Sequence, residues 1–224
     1  LPLAQAITQL GATPIVSPLT ALIPQDPGPL PPDPLAFIAT SPFAIDRLAA
    51  LSPDRHTPLY VVGPVSEAIA RSHGYERIHT PASPQVSSLK ILLFQHFRQA
   101  SGDLIYMTGR DITEPLNFSP APFSAKVRRF ISYRAEEVPS LSEAAIAGLR
   151  EEIISPVLLF STRAAHLFFL LAQKAHVKVT HLSYLCLSLK IGSACYQKGA
   201  QKVYWADAPT QEGMVEKLQK IFIA

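Results

Sequence analysis

Chemistry in this chain has to be sought among its hydroxyls. Thr40, Ser41, Ser161, Thr162 and Thr210 each fall at the end of an apolar run or at the start of a helix-period pattern. A hydroxyl placed there accepts from the first free backbone N–H groups of a helix, and the same N–H groups attract carboxylates. Capping and anion binding are therefore compatible at every one of these positions. Other reactive side chains are dispersed. Cys186 and Cys195 lack the spacing of metal ligands or of a CxxC pair and read as two buried thiols. Of the seven histidines only His176 and His181 are close together, at a spacing that puts them on different faces of a helix. No metal site is indicated.

The elements that carry these hydroxyls are strand–helix units. PVLLFSTRAAHLFFLLA, from Pro156 to Ala172, reads as a buried strand, a polar turn and an amphipathic helix in succession. FIATSPFAIDRLAAL, from Phe37 to Leu51, repeats the pattern, with Ser41 matching Ser161. Further on, Val62-Gly63-Pro64 and the helix to Gly74 match Leu187-Ser188-Leu189 and the helix to Gly199, and Ser83-Pro84 matches Ala208-Pro209. Each half thus runs strand, helix, strand, helix, with Gly74 or Gly199 closing a helix. The expected fold is α/β: two similar lobes, each a parallel sheet flanked by helices. The strands at Phe37–Thr40 and Val157–Phe160 should lie in different sheets.

Two stretches suit crossings between lobes. Pro24 to Pro34 is so rich in proline that neither helix nor central strand can form there, and Tyr133 to Pro139 carries the chain back. The layout expected is a discontinuous lobe of residues 1–19 with 142–224, an inserted lobe of 35–131, and linkers at 20–34 and 132–141. The strand DLIYMTG, Asp103 to Gly109, has no counterpart after Leu1, so the opening strand of the first repeat is expected to be missing or disordered. Ligands of such folds bind beyond the carboxyl ends of parallel strands, which makes the cleft between lobes the expected site.

Composition excludes several classes. Twenty Lys and Arg against 17 Asp and Glu leave a net charge of +3, too mild for a nucleic-acid footprint, while a small anionic ligand fits. The apolar runs VLLF and LFFLLA are interrupted by Ser161, Arg163 and His166, well short of the roughly 20 residues of a membrane span. Leu1 to Leu10 carries neither the basic region nor the long apolar core of a secretory signal, so a cytoplasmic location is expected.

The order of motifs resembles the uroporphyrinogen-III synthase family. LGATPIVSPLTALIP is similar to the family's first helix exit and strand, IATSPFA to its Thr-Ser-Pro strand end, and VVGPVSEAIARSHGY to its Gly-x-x-Ser/Thr helix. LIYMTGRDITEPL, RRFISYRAEEVP, VLLFSTRAAHLFFLLA and APTQEGMVEKL follow in family order, so that nearly the whole chain is covered. The sequence departs from the family at its opening, where the Thr-Arg-Pro turn is absent, and at Ser188, where the repeat has Gly63.

The resemblance implies that the chain closes hydroxymethylbilane to uroporphyrinogen III, losing water and inverting the last pyrrole ring through a spiro intermediate, without metal or organic cofactor. It places Tyr133 where the family has a tyrosine facing the substrate, able to act as general acid toward the leaving hydroxyl. Arg110, after the Thr-Gly turn at Gly109, is implied to meet a substrate carboxylate. Gly63, Ser66 and Ser188, with the hydroxyls above, are implied to hold acetate and propionate arms through helix N-terminal N–H groups. Because TSPFA, GPVSEA, STRAA and APTQEG contain one cation, Arg163, recognition is expected to be spread over backbone donors rather than basic side chains. The implied partners are the tetrapyrrole substrate and, transiently, hydroxymethylbilane synthase, with no nucleic acid and no membrane, and the chain is expected to be a monomer. A two-lobe binding protein without catalysis is the other reading of the same architecture.

Overall fold

Short β-branched and aliphatic runs alternating with helix-period patterns set the element order. The computed structural model describes residues 2–112, 114–118 and 123–223. Helix α1 (Pro2–Gln9) and strand β1 (Thr20–Pro24) lead into β2 (Ala36–Ala39), α2 (Pro42–Leu51), β3 (Leu59–Val61), α3 (Pro64–Ser72), β4 (Ile78–His79), α4 (Val86–Phe97), β5 (Asp103–Gly109) and β6 (Lys126–Glu137). The chain continues through α5 (Glu143–Arg150), β7 (Val157–Leu159), α6 (Thr162–Lys174), β8 (Ser183–Cys186), α7 (Leu189–Gln197), β9 (Lys202–Trp205) and α8 (Gln211–Leu218). One compact unit is the continuous stretch Leu22–Glu136, and the other joins the chain before it to the chain after it.

In the continuous unit the sheet order is β1-β6-β5-β2-β3-β4. The pairs from β6 across to β4 are parallel. Strand β1 runs against β6: the Val138 N–H donates to Leu19 O and the Gln25 N–H to Ser132 O. The crossings expected at 20–34 and 132–141 therefore carry β-structure at 20–24 and 132–137. Proline confines β1 to the sheet edge, where a missing donor costs nothing, and residues 25–35 have no helix or strand.

Period-two alternation builds two cores on this sheet. Phe37, Ala39, Leu59, Val61, Ile105 and Met107 face α2 and α3, whose Ala44, Ile45, Leu48 and Ala70 are fully buried. Ala36, Ile38, Tyr60, Leu104 and Tyr106 face α4 through Leu89, Leu93 and Phe97. Strands buried on both faces account for the near-continuous apolar runs.

The discontinuous unit repeats the scheme on a parallel sheet of order β7-β8-β9. Helices α6 and α7 cover one face with Phe168, Phe169, Ala172, Ala194 and Cys195, together with α5, and α8 covers the other with Met214 and Leu218. Ile7 of α1 and Leu10 just after it pack on the α8 side. Strands β2 and β7 lie in separate sheets, as their sequences require. The helix exits also match. Gly74 and Gly199 take φ of 82° and 88°, and Tyr75 and Ala200 donate back to Ala70 O and Cys195 O, a Schellman closure in both copies.

Candidate active site

Ser41 ends β2 and starts α2. Its backbone is extended (φ −141°, ψ 150°), Pro42 presets the first helical turn, and its Oγ accepts from the Ala44 N–H at 3.2 Å. The same Oγ lies 2.8 Å from the Tyr133 hydroxyl, although Tyr133 sits two strands away on β6. Two local features bring it there. The register between β5 and β6 slips after Thr108, so Gly109 lies opposite Tyr133 and Ser132 is the extra residue of a bulge. That slip turns Tyr133 to the face occupied by Phe130, three residues earlier, where strict alternation would separate them. Gly109 then leaves room for the ring: a Cβ there would lie 2.6 Å from Tyr133 Cε2 and 2.7 Å from Cζ. Phe43 on α2 meets the Tyr133 ring edge-on, with ring centroids 5.0 Å apart.

The other residues singled out in the sequence separate into groups. Thr40, one residue before Ser41, points to the opposite face and shares a 3.1 Å hydrogen bond with the buried Tyr106 hydroxyl. Gly63 is the N-cap of α3 in extended conformation, with no side-chain cap, and its Cα packs so near Pro84 that a Cβ would come within 3.0 Å of the proline's. Ser66 is buried in the first turn of α3. Arg110 extends into solvent beyond β5, and its N–H donates to the Tyr133 carbonyl at 2.8 Å. The remaining four belong to the discontinuous unit. Ser161 caps α6 through the Ala164 N–H at 3.0 Å, with Thr162 as the first helical residue. Thr210 caps α8 through the Gly213 N–H at 3.0 Å, and Ser188 starts α7 without a side-chain cap. Ser41, Gly109, Arg110 and Tyr133 thus form one constellation within the continuous unit.

The sequence profile described as "Uroporphyrinogen-III synthase HemD" matches residues 2–216, nearly the whole chain. The chain belongs to the uroporphyrinogen-III synthase family. Among solved structures it is similar in fold to the uroporphyrinogen-III synthetase of Helicobacter pylori, with a TM-score of 0.62, 13% identity and 91% of each chain covered. A mutant uroporphyrinogen III synthase of Thermus thermophilus follows, with a TM-score of 0.50, 14% identity, and 98% of this chain and 93% of that one covered. No curated protein sequence matches significantly. Family membership makes the chain an enzyme, a cyclising lyase of porphyrin biosynthesis acting on a tetrapyrrole.

Cations that the helix-start motifs of this uroporphyrinogen-III synthase do not contain also lie near the Ser41–Tyr133 contact. Arg47 on α2 donates through Nε to Ser132 O at 3.2 Å and through Nη2 to Gln25 O at 3.3 Å. Arg129 donates through Nη2 to Gly109 O at 2.8 Å and to Arg110 O, and Arg134 adjoins Tyr133 itself. Arg163, the one cation in the motifs first considered, lies 3.7 Å from the Glu137 carboxylate. The motifs TSPFA, GPVSEA, STRAA and APTQEG are short peptides at helix starts, whereas these cations come from the strand RRFISYR and from the second turn of α2. Tyr106 was missed as well, and the period-two partner of Thr40 on a neighbouring strand was its only signal.

Among the described residues no group of three or more His, Cys, Asp or Glu could hold a metal ion. Cys186 and Cys195 are buried thiols, with Sγ atoms 3.7 Å apart. Their shared hydrogen bond raises the Cys186 thiol well above the ordinary range and lowers Cys195. No described helix is long and apolar enough to cross a membrane.

Proposed function

We propose that Tyr133 is the general acid of the cyclisation and that Ser41 sets the direction of its proton. The observation behind this reading is the 2.8 Å contact between the Tyr133 hydroxyl and Ser41 Oγ, made over a glycine. Ser41 Oγ already accepts from the Ala44 N–H, so its own proton is free to go to the phenol oxygen. The phenolic proton is then available to the leaving hydroxyl of hydroxymethylbilane. Its transfer releases water and leaves an azafulvenium cation on the terminal pyrrole, with the electron pair of the broken C–O bond departing on oxygen. The phenolate so formed is held by the Ser41 hydroxyl, itself polarised by an N–H at the positive end of α2. Attack of the last pyrrole ring on this cation gives the spiro intermediate, which fragments and recloses with that ring inverted. The proton lost as the final ring regains aromaticity restores the phenol.

The rest of the reaction needs placement more than chemistry, because an electron-rich pyrrole supplies its own driving force. Free N–H groups at the starts of α3, α6, α7 and α8, around Gly63, Ser66, Ser161, Thr162, Ser188 and Thr210, are donors of the kind acetate and propionate arms require. No metal or organic cofactor enters this scheme. We further infer a cytoplasmic monomer that receives its unstable substrate from hydroxymethylbilane synthase in a transient encounter. The deciding experiment is an assay with freshly made hydroxymethylbilane that separates type I from type III product. Tyr133→Phe should slow type III formation by roughly ten- to a thousandfold with little change in melting temperature. A rate equal to wild type would remove Tyr133 from the mechanism.

A further inference from the structure

The proton-transfer scheme leaves a group of cations on the rim of the six-stranded sheet without a task. Gln25 follows β1. With its amide oxygen turned toward the available donors, it accepts from Arg134 Nη1 at 3.1 Å and from Arg110 Nη2 at 3.2 Å. Arg129 fixes the carbonyls of Gly109 and Arg110 from one side, and Arg47 fixes those of Ser132 and Gln25 from the other. The one acid in contact is Glu136, which takes Arg134 Nε. Among the described residues no carboxylate comes within salt-bridge distance of Arg47, Arg110 or Arg129. Two guanidinium groups therefore converge on one neutral oxygen, where an ionised oxygen would bind about twice as strongly.

We propose that Arg110 and Arg134 form a clamp for one carboxylate arm of the substrate, and that the Gln25 amide occupies the clamp until the arm displaces it. This inference rests on the reading of the chain as acting on a polycarboxylate tetrapyrrole. Arg110 donates its N–H to the Tyr133 carbonyl, and Arg134 is the next residue along β6, so the clamp is built on the same backbone as the phenol, where β5 ends beside β6. Successive strand residues point to opposite faces, so Tyr133 and Arg134 present to opposite sides of β6. A ligand engaging both must lie across the carboxyl end of β5 and the part of β6 beside it, as a chain with carboxylates along its whole length is able to do.

The test uses uroporphyrin III, the stable oxidised form of the product, whose binding is followed by fluorescence titration and requires no proton transfer. Arg110→Gln and Arg134→Gln should each raise its Kd by about three- to thirtyfold, allowing for the exposure of the site. The loss should shrink for a porphyrin with half as many carboxylates. Gln25→Glu separates a clamp from a merely structural contact: it places a permanent carboxylate between the two arginines, so melting temperature should hold or rise while Kd rises. Gln25→Ala should empty the clamp and lower Kd. A Gln25 that served only the fold would give the reverse pattern, with Gln25→Ala unstable and weak in binding and Gln25→Glu harmless, and the clamp would be wrong. Unchanged Kd in both arginine variants would also overturn it, whatever Tyr133→Phe does to the rate. A full rate in Tyr133→Phe beside weakened porphyrin binding in the arginine variants would remove the general acid and leave the clamp standing.

Discussion

The turns at Ser41 and Ser161 are the same piece of structure used twice, with different consequences. Both serines follow an apolar strand with extended backbone and cap a helix through the N–H three residues on, at 3.2 and 3.0 Å. Ser41 also touches a phenol, whereas Ser161 Oγ is exposed and its one hydrogen bond among the described residues is the cap. The strand on the far side explains the difference. Strand β2 is flanked by β5 and then β6, which deliver Gly109 and Tyr133, while β7 is the edge of its three-stranded sheet. The strand–serine–helix unit supplies a polarised hydroxyl, and an added pair of strands brings a phenol against it.

Substitution at Gly109 should break this comparison most completely. Gly109→Ala puts a methyl group at 2.6 Å from the Tyr133 ring, closer than any real contact, so the ring must shift away from Ser41. Type III formation should fall at least as far as in Tyr133→Phe, with a stability loss of about 1–3 kcal/mol from overpacking. A crystal structure of the variant with the ring still on Ser41 would refute that account.

The serines themselves come next. Ser41→Ala and Ser161→Ala should each cost about 1 kcal/mol of stability through the lost cap. Only Ser41→Ala should also slow the chemical step, by roughly tenfold, a single hydrogen bond's worth. In the double variant with Tyr133→Phe that penalty should largely vanish, because the two hydroxyls act as one unit. Single-turnover rates and thermal melts on the wild type and the four variants separate the two effects, and additive rate losses would show that Ser41 acts independently of the phenol.

Much of this was legible in advance, and for identifiable reasons. Strand β2, helix α2 and their copies β7 and α6 were readable because each is a buried run followed by a capping hydroxyl, a local signal. The glycines that close α3 and α7 were readable for the same reason. The contact between Ser41 and Tyr133 was not, since it depends on a one-residue register slip between β5 and β6, which leaves no mark on either strand alone. Arg47 and Arg134 are not legible because a cation on a half-buried helix face or within a strand has the same local pattern whether it meets solvent or a protein oxygen.

A smaller effect should distinguish the other faces of the two sheets. In the continuous unit Tyr60 donates to or accepts from His96 Nδ1 at 2.6 Å and stacks on His79 at 4.7 Å. The corresponding side of the other unit carries Tyr204 against Phe222, with no titratable ring nitrogen. Burial, then His96 and Arg77, hold the His79 imidazole below the ordinary histidine range. The unfolded chain therefore takes up this proton first, and stability contributed at neutral pH is lost as pH falls from the ordinary histidine value through the lowered one. Melting curves between pH 7 and 5 should show a modest acid-side decline that His79→Gln removes. An unaltered decline in His79→Gln would assign it to other groups.

The discontinuity of one unit also orders events on the ribosome. The Leu22–Glu136 unit emerges as one uninterrupted segment and can close its core as soon as β6 is free of the exit tunnel, since chains fold unit by unit as they are made. Helix α1 is synthesised earlier than any of it, yet the apolar residues it covers, Met214 and Leu218, are nearly the last to appear. Ile7 and Leu10 must wait out the synthesis of some two hundred residues before they find their partners. The half of the molecule that holds the phenol is thus complete while its companion is still open, and the burden of protecting exposed apolar surface during translation falls on the opening helix.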